Sequence, residues 1–297
     1  MKTATKFLII TAYSFLVITG LAFLTACQSE LAHLYFSPVR ALVQNGFTEI
    51  PLPIQQVIYI KKNKIEYLNT NLRPKNSNAK ILYIYIEGDG APWFQSQYPP
   101  NDPTPKTSTV IQLAISHHSN NVAYLGRACQ YLNEISLEQC RREWWTNERF
   151  SSQVISMSQL AIEAALNVSG ADKIVLIGYS GGGTLATLIA TQRSDVECIV
   201  TLASPLDIQA WTHIQGLKPL IGSLNPADYS QNLLSIRQNH YIGAEDKVVP
   251  VGSLGRYKLT SPHQIYTILD GVGHTIGWSD QFEKIKKESC LSKLNRP

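Results

Sequence analysis

The chain has 297 residues, 44% of them apolar and 16% charged. That is the composition of a soluble globular protein with a sizeable core, in one large α/β domain or two small ones. The formal charge is +4, with 26 basic and 22 acidic side chains. With no basic stripe and no recognised motif, this balance speaks against nucleic-acid binding.

Lys2 and Lys6 open the chain, and a mostly apolar run follows from Phe7 to Leu24. Then comes Leu24-Thr25-Ala26-Cys27. A charged start, an apolar middle and small residues before a break describe an export signal. The cysteine after Leu-Thr-Ala resembles the lipobox of bacterial lipoproteins. The resemblance implies cleavage before Cys27, acylation of that cysteine and, with Gln28 rather than aspartate next, an outer-membrane location. Removal of Lys2 and Lys6 leaves the mature chain close to neutral. The rival reading is an uncleaved anchor, since the run is nearly long enough to span a bilayer. The expected organisation is a signal peptide over 1–26, a lipid-anchored linker over 27–47 and one α/β domain over 48–297.

Val57 to Ile60, a polar Lys61-Lys62-Asn63-Lys64 turn and Ile65 to Leu68 read as an antiparallel hairpin. Ile81 to Ile86 is a strong strand signal that runs into Glu87-Gly88-Asp89-Gly90. Ala91 to Thr107 is a proline-rich loop, Thr109 to His117 a helix, and Val122 to Leu125 a strand leading into Gly126-Arg127. Ser151 to Leu166 carries apolar residues at helical spacing. Lys173 to Ile177 has the length and β-branched content of a buried strand, and Thr184 to Ala190 is a packed helix. Strands are expected at 198–202, 239–243 and 264–269, a mixed insertion at 207–236, and a closing helix at 279–294. The alternation in the second half predicts a mostly parallel sheet wrapped by helices.

Between the strand and the helix stands Gly178-Tyr179-Ser180-Gly181-Gly182. In a strand, G-x-S-x-G, helix order the serine sits on a strained corner with its hydroxyl over the end of the sheet. The N–H of Gly181 then opens a helix, where free donors and the helix dipole favour an oxyanion. Ser180 needs a base, and the base needs an acid to orient it. Of seven histidines, His274 follows a late strand in a loop of small residues, Gly271-Val272-Gly273-His274-Thr275. His263 lies at the opposite end of that strand, and His117 and His118 end a helix as solvated caps. Asp246, just past a strand, is the favoured acid over Asp207, Asp270 and Glu245, because the chain order Ser, Asp, His places it there.

Ser180 in its elbow, Asp246 and His274 together resemble the triad of the α/β-hydrolase fold, esterase and lipase branch. The resemblance runs from about Ile81 to Leu291. It implies a second oxyanion donor in the loop after Ile86. Lipases often carry His-Gly-Gly-Gly there; this chain has Glu87-Gly88-Asp89-Gly90. Asp89 is the donor by position, with Gly90 or Ala91 as alternatives. A carboxylate facing the oxyanion opposes catalysis, so the Asp89 side chain is expected to turn away. Arg127, on a neighbouring strand end, is expected to pair with Glu87 or Asp89, or else to be an ordinary surface arginine.

Cys129 and Cys140 flank a polar loop and are the expected disulfide; Cys198 and Cys290 either tie a strand to the last helix or stay as buried thiols. No metal signature of the H-E-x-x-H or paired-cysteine kind occurs, and no cofactor is expected. Trp93, Trp144, Trp145 and Trp211 are candidate linings of an acyl pocket. The expected function is a lipid-anchored serine hydrolase of esters or related acyl compounds; the alternative is a binding lipoprotein that kept the scaffold without activity.

Overall fold

A computed structural model describes residues 37–61, 80–91, 98–258 and 262–293. The strands are β1 Phe47–Glu49, β2 Ile58–Lys61, β3 Ile81–Ile86, β4 Val122–Leu125, β5 Lys173–Tyr179, β6 Val196–Leu202, β7 Arg237–Gly243 and β8 Gln264–Leu269. The longer helices are α1 Val39–Gln44, α2 Thr109–Ile115, α3 Ser152–Ser169, α4 Gly181–Ala190, α5 Ile208–Ile214 and α6 Trp278–Glu288.

The strands form a single sheet in the order β1-β2-β4-β3-β5-β6-β7-β8. β3 to β8 pair in parallel, and the described antiparallel pairs are β1 with β2 and β2 with β4. The apolar runs of β3, β5 and β6 are buried on both faces, as central parallel strands require. Leu82, Ile84, Ile174 and Leu176 point into one core, shared with Val154 and Ile162 of α3 and Leu185 of α4. Tyr83, Tyr85, Val175 and Ile177 point into the other, with Val110 of α2 and Phe282 of α6. The parallel pairing of β3 to β8 puts their C-terminal ends along one edge, where loops from different strands meet.

The structure departs from the sequence reading at His117 and in the closing helix. Residues 65–68, the expected partner in a hairpin, lie outside the described residues. β2 pairs antiparallel with β1 on one edge and with β4 on the other. His117 is not a solvated cap: its ring is buried and its Nδ1 lies 2.5 Å from the Tyr85 hydroxyl. His118, next to it, is exposed. The closing helix breaks at Ser289 into α6 and a single turn over Cys290–Lys293.

Two disulfides link the chain, Cys129–Cys140 and Cys198–Cys290, with Cα–Cα separations of 6.1 and 6.2 Å. The second joins β6 to the turn after α6, across 92 residues.

One buried histidine makes the fold sensitive to acid. His240 on β7 bonds Thr201 Oγ1 at 2.8 Å and Gln238 Oε1 at 3.2 Å, and stacks on Tyr266. Burial pushes its pKa down to about 3. Protonation therefore favours the unfolded chain, where an imidazole titrates near ~6.5. The neutral ring's contribution is complete above that pH and is lost as pH falls toward 3, at roughly 1.4 kcal/mol per pH unit. His117, lowered to about 4 by burial, acts in the same direction. Thermal melts between pH 7 and pH 4 should show stability falling, with a shallower slope in His240→Asn. Equal slopes would contradict the assignment.

Candidate active site

At the end of β5 the chain turns into α4 through Ser180, whose backbone stands at φ 51° and ψ −128°. A non-glycine residue there is strained, by about 1–3 kcal/mol, and surrounding contacts must hold it. The Ser180 N–H donates to the Leu202 carbonyl at 2.8 Å, which ties the corner to β6. Gly182 then passes so close to β3 that a Cβ on it would lie 2.3 Å from the carbonyl oxygens of Ile86 and Glu87. Glycine is required there to bring α4 onto the sheet. As the first residue of α4, Gly181 has no intrahelical acceptor for its N–H.

Asp246 lies three residues past the end of β7 and His274 five residues past the end of β8. Both loops leave the same edge of the sheet as Ser180. His274 Nδ1 is 2.8 Å from Asp246 Oδ2. The other Asp246 oxygen accepts the N–H groups of Val248 and Val249 at 2.9 and 2.8 Å. The carboxylate is thus fixed from behind, with its side chain fully buried and one oxygen left for the imidazole. The His274 carbonyl accepts from the Tyr179 hydroxyl at 2.6 Å and from Trp278 Nε1 at 2.8 Å. Tyr179 is the residue before Ser180, so the histidine loop is bonded directly to the elbow. Among the described residues, Ser180 Oγ and His274 Nε2 carry no hydrogen bond, to each other or to another group.

The competing acids are elsewhere. Asp207 caps α5, accepting from Gln209 and Ala210, and also takes Asn225 Nδ2 and the Arg256 N–H. Asp270 and Glu245 are exposed. His263 sits at the N-terminal end of β8, and His213 ends α5 in an exposed position. No group of three or more His, Cys, Asp or Glu gathers as a metal cluster among the described residues.

The loop after β3 lies against the elbow. A Cβ on Gly88 would stand 3.4 Å from Ser180 Cβ. One on Gly181 would be 1.9 Å from Asp89 Oδ1, so the Asp89 carboxylate packs directly over the start of α4. It is not left as a bare charge. Arg127 Nη1 reaches Oδ1 at 2.5 Å and Arg149 Nη1 reaches Oδ2 at 2.9 Å. Burial alone would raise the Asp89 pKa; the guanidiniums of Arg149 and Arg127 outweigh it and hold the carboxyl below its usual range. Arg127 is buried, stacked over Phe150, and is no surface arginine. Glu87, two residues back, is buried in a nest of donors: the Gly88 N–H at 2.8 Å, the Tyr124 hydroxyl at 2.7 Å and the Ser108 hydroxyl. Burial outweighs those bonds and raises its pKa.

The N–H groups of Asp89 and Gly90 have no partner among the described residues, whereas that of Ala91 donates to the Pro103 carbonyl at 3.1 Å. Trp144 is half-buried; Trp145 and Trp211 are buried, the latter bonded to the Val248 carbonyl. Trp93 and Cys27 lie outside the described residues. Arg149, Gln130 and Tyr179 were not singled out by motif. Each acts on a site segment through contacts that the sequence order does not display.

No protein-family model matches the sequence, and no curated protein matches it. Solved structures do. A puromycin-hydrolyzing peptidase of Mycobacterium tuberculosis superposes with TM-score 0.53 and 15% identity, over 77% of this chain and 36% of that one. The chain thus spans about a third of the length of that peptidase. Est1E from Butyrivibrio proteoclasticus superposes with TM-score 0.52 and 11% identity, over 82% of this chain and 96% of that one. At such identities the likeness speaks for the fold, which is that of the α/β-hydrolases.

Proposed function

We propose that this protein is a serine hydrolase that cleaves an ester or related acyl bond through an acyl-enzyme on Ser180. The observation that carries the reading is the 2.8 Å contact of His274 Nδ1 with a buried, backbone-held Asp246, in a loop bonded to the elbow through Tyr179. In this reading Ser180 Oγ attacks the acyl carbonyl and its proton passes to His274 Nε2. Asp246 keeps the Nδ1–H tautomer and stabilises the imidazolium. The oxyanion is taken by the N–H of Gly181 with that of Asp89, or of Gly90 beside it. The imidazolium then protonates the leaving alcohol, and water, deprotonated by the same histidine, releases the acid.

The anchor belongs to the proposal too. The export signal and Leu24-Thr25-Ala26-Cys27 support a chain that begins at an acylated Cys27 and works at the cell envelope. One preparation tests both parts. Full-length protein extracted from membranes should give a mass starting at lipid-modified Cys27 and should turn over short-chain p-nitrophenyl esters. Turnover of aminoacyl amides but not esters would make it a peptidase. Turnover of neither would leave the non-catalytic lipoprotein.

A further inference from the structure

The loop Glu87-Gly88-Asp89-Gly90 is gripped from two sides by groups that touch none of the reacting atoms. On one side is Gln130. Its Nε2 donates to the Gly88 carbonyl at 3.0 Å, and its Oε1 accepts the Arg127 N–H at 3.1 Å. The second bond fixes which way the amide faces. The Gly88 carbonyl belongs to the same planar, trans peptide unit as the Asp89 N–H, so the two point in opposite directions. Holding the carbonyl on Gln130 therefore sets the direction of the Asp89 N–H.

On the other side is the pair of guanidiniums. Arg149 is buried; its Nε donates to the Thr146 carbonyl at 2.5 Å while Nη1 holds Asp89. Arg127 Nη2 donates to the Arg149 carbonyl at 2.7 Å, which joins the two arginines. Two guanidiniums thus bracket one carboxylate beside the elbow. A buried charged cluster is a poor way to gain stability, since desolvation offsets most of the attraction. What such a cluster does well is hold one conformation.

Gln130 is itself held under strain. Its neighbours Cys129 and Tyr131 both stand in the left-handed region, at φ 68° and 61°. Neither is glycine, and such residues persist only where the surroundings fix them. The Cys129–Cys140 bridge, the Cys129 N–H on the Gln55 carbonyl and the Tyr131 N–H on Thr104 Oγ1 do so, both hydrogen bonds being 2.7 Å.

We infer that Gln130 and Arg149 are positioning residues that lock the Gly88–Asp89 peptide so that its N–H faces the oxyanion formed at Ser180. This rests on the serine-hydrolase reading above. The oxyanion exists only in the transition state and the tetrahedral intermediates, so loosening the peptide costs kcat and spares substrate binding.

The experiment compares wild type with Gln130→Met, which keeps the volume, and with Arg149→Gln and Arg149→Lys. Active protein in each is counted by stoichiometric fluorophosphonate labelling, so that misfolded material drops out. Gln130→Met and Arg149→Gln should each lose about 10- to 100-fold in kcat with KM within a factor of two. Inhibition by a phenylboronic acid, which forms a tetrahedral adduct on the serine, should weaken in proportion to kcat/KM. Arg149→Lys, which keeps the charge on Asp89, should recover part of the loss. If Arg149→Gln does not fold, Gln130→Met alone decides. An unchanged kcat in folded Gln130→Met, or a loss confined to KM, would overturn the inference and leave the Ser180 reading standing. Wild type that neither labels nor turns over would overturn both.

Discussion

Ser180→Ala should abolish ester turnover, with a loss in kcat on the order of 10⁶-fold, the scale seen when a serine nucleophile is removed from a triad. The fold should survive. Alanine keeps a Cβ, so the backbone at φ 51° is no more and no less strained than with serine. The Ser180 N–H bond to Leu202 is a main-chain contact, and the hydroxyl carries no hydrogen bond among the described residues. Circular dichroism and thermal melts should therefore coincide with wild type while turnover vanishes. Retained turnover in pure variant protein would place the nucleophile elsewhere.

Asp246→Asn should cost about 10⁴-fold in kcat with little change in stability. The two effects separate because the two carboxylate oxygens have separate tasks. Oδ1 accepts from Val248 and Val249, and an asparagine Oδ1 can do the same. Oδ2 faces His274 Nδ1, and there the substitution offers an NH₂ group. A donor opposite Nδ1 selects the tautomer with its proton on Nε2, which cannot take the proton of Ser180. Asp207→Asn should behave in the opposite way. Its carboxylate caps α5 and collects Asn225 and Arg256, so melting temperature should fall with kcat close to wild type. Asp270→Asn, at an exposed position, should change neither quantity appreciably. Steady-state hydrolysis and melts on the three variants read out the contrast. A crippled Asp270→Asn beside an active Asp246→Asn would reassign the acid.

Much of the sheet was legible because its signals are local. Apolar runs such as Ile81 to Ile86 and Lys173 to Ile177 can be buried on both faces only as central strands. The elbow was legible for the same reason, since its glycines, its strand and its helix are contiguous. The Asp246–His274 contact could be anticipated from chain order, because both residues follow strands whose ends share one edge.

What stayed hidden depends on which distant segments meet. β2 takes its two antiparallel partners, β1 and β4, from segments that no contiguous sequence signal joins to it. His117 ends a helix in sequence, but the Tyr85 hydroxyl draws it into the core. Arg149 sits in a polar stretch after two tryptophans, and nothing in its neighbours announces a partner 60 residues upstream. The Asp89 side chain was expected to turn away from the elbow. It bonds the two arginines yet remains against Gly181, and its charge is compensated there.

The nucleophilic role of the Ser180 hydroxyl underlies every step proposed above. It is tested most directly by mapping the adduct of a fluorophosphonate. Native protein is treated with the reagent, digested and sequenced by tandem mass spectrometry, with Ser180→Ala as the control. A single phosphonyl group is expected on the peptide containing Gly178-Tyr179-Ser180-Gly181, fixed on Ser180, with no adduct in the variant. An adduct on another serine, or none on protein that hydrolyses esters, would contradict it.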